Sequence, residues 1–244
     1  MKIEKTYRAT ITRIIDESPI VKRFFFSIPH LEGFAFAAGQ FIALNIPAEP
    51  EKIRRYYSIA SAPSDPKQSN DYTFELCISF KPGGAGSALL WEQVREGSQI
   101  EVDGPYGKFL LGQPINNELC FIATGTGIAP LRSMIGHIFQ SGLPHGPITL
   151  ISGNRTEADN LYAAEFEQLQ AQHPEFRFIP TLSRPSVNWK GEQGYVHAVY
   201  QELFADRRPA TFYLCGWQNM LKEARNTLET MGYEKEQIRF ESYG

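Results

Sequence analysis

Hydrophobic and polar positions follow a two-residue period in the first half of the chain. Residues 72–80 (YTFELCISF) have an apolar side chain at every second position. Polar or small residues take the positions between them: Thr73, Glu75, Cys77 and Ser79. This alternation predicts a half-buried antiparallel strand, and residues 6–12 and 21–28 are strand-like as well. Glycine and proline turns separate the segments, which predicts a small barrel or sandwich. One helix interrupts them, with Ser87 as its N-cap.

In the second half, strand-like and helix-like segments alternate. Residues 119–123 form a continuous apolar run, which is typical of a strand buried on both faces. The further predicted strands are 148–152, 176–182, 211–215 and 238–241. The first predicted helix ends near residue 140, and the others cover 161–171, 197–204 and 219–231. This alternation predicts βαβ units and a parallel sheet. Because a polar glycine and proline segment lies at 112–117, we predict two domains, residues 1–113 and 114–244.

Composition excludes several classes of protein. The chain has 244 residues and a net charge of -3, so the charge balance does not indicate a nucleic-acid partner. No apolar run is long enough for a membrane span, and no secretory signal is visible at the N-terminus. The three cysteines, Cys77, Cys120 and Cys215, lack the spacing of a metal site or a disulfide framework. We therefore expect a cytoplasmic protein with no metal or iron–sulfur cluster in this chain.

Three short segments carry residues suited to binding phosphates and planar rings. Residues 124–130 (TGTGIAP) join a strand to a helix, where main-chain N–H groups favour an anion, although a plain tight turn would have the same residues. Residues 54–61 (RRYYSIAS) combine guanidinium groups for phosphate, tyrosines for a ring and a serine for hydrogen bonding. An exposed edge strand is the alternative. Residues 83–87 (GGAGS) open the helix of the first half and form a second candidate phosphate turn. Two such turns indicate two pyrophosphate-bearing cofactors.

Cys215 lies at the end of a predicted parallel strand and is followed by Gly216. Ligands of open α/β sheets bind at the carboxyl ends of the strands, so the thiol is a candidate ligand contact. A buried cysteine of the core is the alternative.

In this order, the segments resemble the ferredoxin–NADP⁺ reductase superfamily over nearly the whole chain. The flavin motif R-x-Y-S is similar to residues 55–58, and its glycine–serine turn to residues 84–87. The nicotinamide-nucleotide turn G-T-G-x-x-P is similar to residues 125–130. The C-G pair matches Cys215 and Gly216, and the terminal acid and aromatic residue resemble Glu241 and Tyr243.

The resemblance implies an antiparallel β-barrel flavin domain followed by an α/β nucleotide-binding domain. It implies that Ser58, Cys215 and Glu241 act in catalysis, with Ser58 near the flavin N5 and Cys215 placing the nicotinamide. The implied flavin-binding residues are Arg55, Tyr56, Tyr57, Ser58, Gly84, Gly86, Ser87 and Tyr243. The implied nicotinamide-nucleotide residues are Thr124, Gly125, Thr126, Gly127, Pro130, Ser183, Arg184, Cys215 and Gly216.

The cofactor choices follow from the same resemblance. FAD is favoured because most similar proteins hold it, and no local residue excludes FMN. Ser183 and Arg184 follow a predicted strand and resemble a pocket for the 2′-phosphate of NADP, where proteins that use NADH often carry an acid. We therefore expect NADPH, with NADH as the alternative.

The expected function is hydride transfer from NADPH to FAD, followed by single-electron transfer to a separate acceptor. That acceptor is expected to be a ferredoxin, a flavodoxin or a haem protein, and the chain is expected to be a monomer. One alternative is an electron-transfer or regulatory subunit of a larger complex. Such subunits often carry a cysteine cluster near the C-terminus, and none follows Cys215. The other alternative is a free flavin or quinone reductase, which would need only loose flavin binding.

Overall fold

The structure is a computed structural model that describes residues 5–64 and 71–243. The chain divides into two compact units. The first contains the residues up to Leu111 together with Arg132–Ser141, and the second contains Gly112–Leu131 and the residues from Gly142 onward. The predicted boundary between residues 113 and 114 stays a prediction, and no sequence feature indicated that residues 132–141 belong with the first unit.

The first unit is built on an antiparallel sheet. Its strands are β1 Thr6–Ser18, β2 Val21–Pro29, β3 Phe41–Ile46, β4 Ile53–Ser58, β5 Asp71–Ser79 and β6 Gln99–Tyr106. Their order is β4-β3-β6-β1-β2-β5, and a bridge between Ile59 and Leu76 joins the end of β4 to β5. This bridge connects the two edges of the sheet, as in a barrel. The antiparallel first domain is therefore confirmed.

The core of this unit consists of apolar side chains from all six strands and from helix α1, Ala85–Glu92. Two details differ from the predictions. Helix α1 has Gly84 as its N-cap, three residues before the predicted N-cap Ser87, so that prediction is wrong. Strand β5 is also more buried than its alternation indicates, because Glu75 and Cys77 of the polar set are only 2% and 5% exposed.

The second unit is an α/β domain. Its strands are β7 Glu118–Thr124, β8 Ile148–Asn154, β9 Phe176–Leu182, β10 Glu192–Gln193, β11 Ala210–Gly216 and β12 Ile238–Ser242. Its helices are α3 Ala163–Gln172, α4 Val196–Leu203 and α5 Gln218–Thr230, and it also contains the first residues of α2, Ile128–Ser141. The strands are parallel, in the order β10-β9-β8-β7-β11-β12. The predicted parallel sheet is confirmed, and only the two-residue β10 was missed.

Two further observations bear on the sequence analysis. No helix within residues 5–64 and 71–243 has the length and apolar character needed to cross a membrane. Cys77, Cys120 and Cys215 are all free thiols, and all three are buried.

Candidate active site

Strand β4 gives its two arginines different environments. Arg54 forms an ion pair with Asp103 at 3.3 Å and donates a hydrogen bond to the hydroxyl of Tyr106 at 3.2 Å. Arg55 is exposed, and its guanidinium donates to the main-chain carbonyl of Arg54 at 2.8 Å. Neighbouring residues of a strand point to opposite faces. Arg54 is therefore held by its own domain, whereas Arg55 presents its charge to solvent.

Arg55 lies directly against the start of helix α1. A Cβ added at Gly86 would stand 3.2 Å from the Cγ of Arg55 and 3.3 Å from the Cδ1 of Ile46. The first N–H groups of a helix have no acceptor within the helix, and they favour negative charge. The structure thus brings the side-chain stem of Arg55, in the R-x-Y-S motif, against the glycine–serine turn, about thirty residues away in the chain. This combination of donors suits a phosphate.

Ser87 holds this turn together. Its hydroxyl accepts a hydrogen bond from the N–H of Lys81 at 3.0 Å and lies 3.1 Å from the carbonyl of Gly84. Gly83 has a φ of +74°, in the left-handed region that glycine adopts without strain. The side chain of Ser87 therefore fixes the loop before α1, and its predicted contact with a flavin phosphate stays a prediction.

The two tyrosines of the motif lie in different surroundings. Tyr57 packs against the core of the first unit, and this burial raises its pKa to about 12 although the charge of Arg55 opposes the shift. Tyr56 is 60% exposed and makes an edge contact with Phe41, with ring centroids 5.9 Å apart. Ser58, the last residue of β4, is buried. The structure therefore places Arg55 and Tyr57 on one face of the strand and Tyr56 on the other.

In the second unit, the segment TGTGIAP forms the predicted turn between β7 and α2. Gly125 has a φ of +53° and starts a single 3₁₀ turn that ends at Gly127. A Cβ at Gly127 would collide with the main chain of Cys215 and Gly216, so only glycine allows this close approach. Pro130 lies in the first turn of α2, where its missing N–H is tolerated.

The C-G pair lies beside this turn. Gly216 has a φ of +137°, and the next residue, Trp217, donates its N–H to the hydroxyl of Thr124 at 3.0 Å. In the sheet, Cys215 pairs with Ala123 on one side and with Glu241 on the other. The parallel sheet therefore brings together Thr124, Cys215 and Glu241, which are far apart in the chain.

Tyr243 completes the cluster. Its hydroxyl donates to the carbonyl of Thr126 at 3.3 Å and also forms a hydrogen bond with the thiol of Cys215. Burial raises the pKa of the Cys215 thiol well above its usual range, an effect that Tyr243 opposes and the charge of Glu241 adds to. Cys215 is therefore a neutral thiol at physiological pH, unsuited to act as a thiolate, and its side chain is fully buried.

A cavity of about 420 Å³ opens at these residues. Thr124, Thr126, Gly216 and Tyr243 line it, together with Trp217, which the sequence analysis did not select and whose side chain is 68% exposed. The signal for Trp217 was its position directly after the C-G pair. An exposed indole at the mouth of a cavity offers a flat apolar surface to a ring.

Ser183 and Arg184 lie on a loop that follows β9 and runs along the loop after β8. The N–H of Ser183 donates to the carbonyl of Asn154 at 3.0 Å, and the N–H of Arg184 donates to the carbonyl of Arg155 at 2.8 Å. Both arginines are exposed. Arg155 was missed, although its place just after a parallel strand could have indicated it. Two guanidinium groups thus come from adjacent loops at the carboxyl edge of the sheet.

Comparison with known proteins identifies the two units. Residues 8–110 match the family of oxidoreductase FAD-binding domains, and residues 121–226 match the family of oxidoreductase NAD-binding domains. The chain is 30% identical to ferredoxin–NADP reductase B of Sorangium cellulosum, and the match covers 97% of both chains. It is 33% identical to the reductase component DmpP of a Pseudomonas phenol 2-monooxygenase, covering 91% of this chain but 61% of that protein. The structure of the Amycolatopsis cytochrome P450 reductase GcoB has a TM-score of 0.85 and 26% identity, over 98% of this chain and 70% of that one.

The fold and the two matched domains define an oxidoreductase that binds FAD and NAD(P). The chain belongs to the ferredoxin–NADP⁺ reductase superfamily. This confirms the predicted family, the two-domain fold, the enzyme class, the function and the cofactors FAD and NAD(P). The roles of the individual site residues stay predictions.

Proposed function

We propose that this protein is an NADPH-dependent flavoprotein reductase that passes electrons from FAD to a separate acceptor protein. The observation that carries the proposal is the contact between Arg55 and Gly86. It places the Cγ of Arg55 against the first turn of α1, at a residue where a Cβ would fill the space. A phosphate needs this set of donors, and a barrel that served only as a structural domain does not.

The residues of the first unit fit FAD. When bound, FAD supplies the chemistry, since it accepts a hydride and releases electrons one at a time. Arg55 and the first N–H groups of α1 bind its pyrophosphate. Tyr57 packs against its ring system, and Ser58 donates a hydrogen bond near its N5. Tight binding through these contacts argues against a free flavin reductase, the alternative that needs only loose affinity.

The second unit binds the substrate nucleotide. The turn of residues 124–127 binds its pyrophosphate, and the cavity beside Cys215 and Gly216 receives its nicotinamide end. Because the Cys215 thiol stays protonated, it orients the ring by contact and takes no proton from it. Tyr243 lines this cavity, so its side chain meets the coenzyme on entry.

NADPH is the proposed coenzyme. Arg184 and Arg155 present two guanidinium groups from neighbouring loops, and Ser183 adds a hydroxyl. A 2′-phosphate matches such a group of donors, whereas the ribose hydroxyls of NADH match an acid. The carboxylate of Glu157 accepts the N–H of Ser186, two residues after Arg184, at 2.9 Å.

The proposed acceptor is a separate protein carrying an iron–sulfur, flavin or haem group. The relatives named as a ferredoxin reductase and as a reductase component support a separate acceptor. We further propose that the chain works as a monomer in the cytoplasm, where its three free cysteines would stay reduced.

Purified protein tests the proposal. We expect a yellow protein that keeps one FAD per chain through gel filtration and is bleached by NADPH under anaerobic conditions. Adding an oxidised one-electron acceptor, such as a ferredoxin or a flavodoxin, should restore the colour. A colourless protein that reduces only added free flavin would contradict the proposal and support the free flavin reductase.

A further inference from the structure

The three residues that follow strand β4 carry the chain from one edge of the barrel sheet to the other. The N–H of Ile59 donates to the carbonyl of Gln40, beside β3, at 2.9 Å. The N–H of Ala60 donates to the carbonyl of Glu75 at 2.8 Å, and the N–H of Glu75 donates to the hydroxyl of Ser61 at 3.0 Å. The main chain of Glu75 on β5 therefore receives this segment.

The carboxylate of Glu75 is the centre of a buried charge network. Arg23 binds it with two hydrogen bonds, from Nε at 2.7 Å and from Nη2 at 3.0 Å. Arg132 of helix α2 binds it from Nη1 at 3.2 Å, and Arg23 also contacts Glu17 at 3.3 Å. The Glu75 side chain is 3% exposed, and the other three side chains are at most 17% exposed. We call these four residues the Glu75 network.

Arg132 links this network to the segment after β4. Its Nη1 also donates to the carbonyl of Ala60 at 2.8 Å, and the neighbouring Ser133 donates its hydroxyl to the carbonyl of Ser61 at 2.6 Å. A closed ring of contacts results: the Glu75 carboxylate, Arg132, the two main-chain groups of Ala60, and the Glu75 carbonyl. Moving any member of this ring would move the others.

Stability alone is a poor explanation for such a network. Removing four charged groups from water is costly, and replacing a buried ion pair by apolar residues of similar size is often neutral or stabilising. The network does, however, fix one short segment of the chain with hydrogen bonds from strand β5 and helix α2. That segment, Ala60 and Ser61, begins two residues after Ser58.

We propose that Glu75 and Arg132 are positioning residues that hold Ser58 in place for its contact with the flavin ring. This inference rests on the proposed function, because it takes Ser58 as a flavin contact. The ring of contacts fixes Ala60 and Ser61, and Ile59 is fixed by the bridge to Leu76. Ser58 is therefore followed by a fixed segment, so its side chain needs no rearrangement when the coenzyme binds.

Two substitutions test the inference. Glu75→Gln keeps the shape of the side chain and removes its charge, and Arg132→Met cuts the link to Ala60 while leaving the Arg23–Glu75 pair intact. We expect each to change the visible circular dichroism of the bound FAD. Each should also slow flavin reduction at saturating NADPH by about ten-fold, with little change in the NADPH concentration for half-saturation. The double variant should be no slower than the worse single variant, because both act through the same ring.

A second arginine–carboxylate pair provides a matched control. Arg208 binds Glu118 in the second unit with two hydrogen bonds, at 2.7 and 3.2 Å. Glu118→Gln should lower thermal stability and leave the flavin spectrum and the reduction rate unchanged. If Arg132→Met and Glu75→Gln lower stability alone, as this control does, the inference is wrong. If Glu75→Gln does not fold, Arg132→Met decides. A wild-type protein without FAD would instead contradict the proposed function.

Discussion

The side chain of Arg55 lies against Gly86, so that its Cγ stands 3.2 Å from the place where a Cβ of residue 86 would be. This contact joins the strand that carries the flavin motif to the helix that opens with the glycine–serine turn. The exposed side chain of Arg55 therefore starts beside a helix N-terminus, and a guanidinium and a helix N-terminus each favour an anion.

The first prediction follows from this contact. Arg55→Ala should weaken FAD binding by about 1.5–3 kcal/mol, since it removes a charge-assisted hydrogen bond to the pyrophosphate. Fluorescence titration of the apoprotein with FAD measures this. Arg54→Ala is the control, because Arg54 forms an ion pair with Asp103. When Arg54 is removed, Asp103 keeps its hydrogen bonds from Thr6 and Asn45. Equal FAD affinity in wild type and Arg55→Ala would remove the assigned role.

The second prediction concerns the buried thiol of Cys215, next to Gly216 in the cavity lining of the second unit. Cys215→Ala should slow flavin reduction by NADPH about ten-fold, or ~1.4 kcal/mol in the barrier, while FAD stays bound. Cys120→Ala is the control, because Cys120 is also a buried thiol but pairs with Phe212, three residues before Cys215 on β11. Stopped-flow measurements that give equal rates for wild type and Cys215→Ala would make Cys215 a simple core residue.

The buried thiols also predict a pH dependence of stability. Burial raises the pKa of both Cys120 and Cys215 above the ordinary 9.0, so each stays protonated in the folded state. Above that pH the unfolded chain loses these protons and the folded chain keeps them. The free energy of unfolding should therefore fall as pH rises past 9, by at most about 1.4 kcal/mol per pH unit for each thiol.

Chemical denaturation between pH 7 and 10 measures this slope. Cys120→Ala should show a shallower fall than wild type, because only one of the two thiols still differs between the folded and unfolded states. A stability that stays level or rises over this range would contradict the assignment.

The fourth prediction is the choice of coenzyme. Arg184→Ala and Arg155→Ala should each lower kcat/KM for NADPH ten- to hundred-fold, the loss of about 1.5–3 kcal/mol, and should leave NADH nearly unaffected. Lys190→Ala is the control, because Lys190 is an exposed cation in the same loop. The assay must hold ionic strength constant, since salt screens exposed charges. If both coenzymes lose activity equally, these arginines support the loop and do not bind the phosphate.

Much of the fold could be predicted because the two halves of the chain have different periods. Alternation of two residues marked the antiparallel strands, and buried runs between helices marked the parallel sheet. Residues 176–182 were predicted as a strand with the bounds that the structure shows. These features depend on local sequence. Each face of an element meets the same surroundings, solvent or core, along its whole length, so the pattern of residues repeats.

The misses depend on partners that are distant in the chain. Glu75 was expected on the exposed face of its strand, and it is buried because Arg23 and Arg132 cover it. Ser87 has the composition of an N-cap, but its hydroxyl turns back to Lys81 and α1 begins earlier. Arg155 became a candidate only when its carbonyl was found to accept the N–H of Arg184. Local propensity does not contain this information.

Stopped-flow reduction decides whether NADPH reduces a flavin held by this chain. The purified protein is mixed anaerobically with NADPH, and in a parallel experiment with NADH, in a stopped-flow spectrometer that follows the visible absorbance of the bound flavin. We expect single-turnover bleaching that saturates with NADPH and has a second-order rate constant about ten-fold or more above that for NADH. Bleaching by neither coenzyme, or faster bleaching by NADH, would show that NADPH is not the reductant.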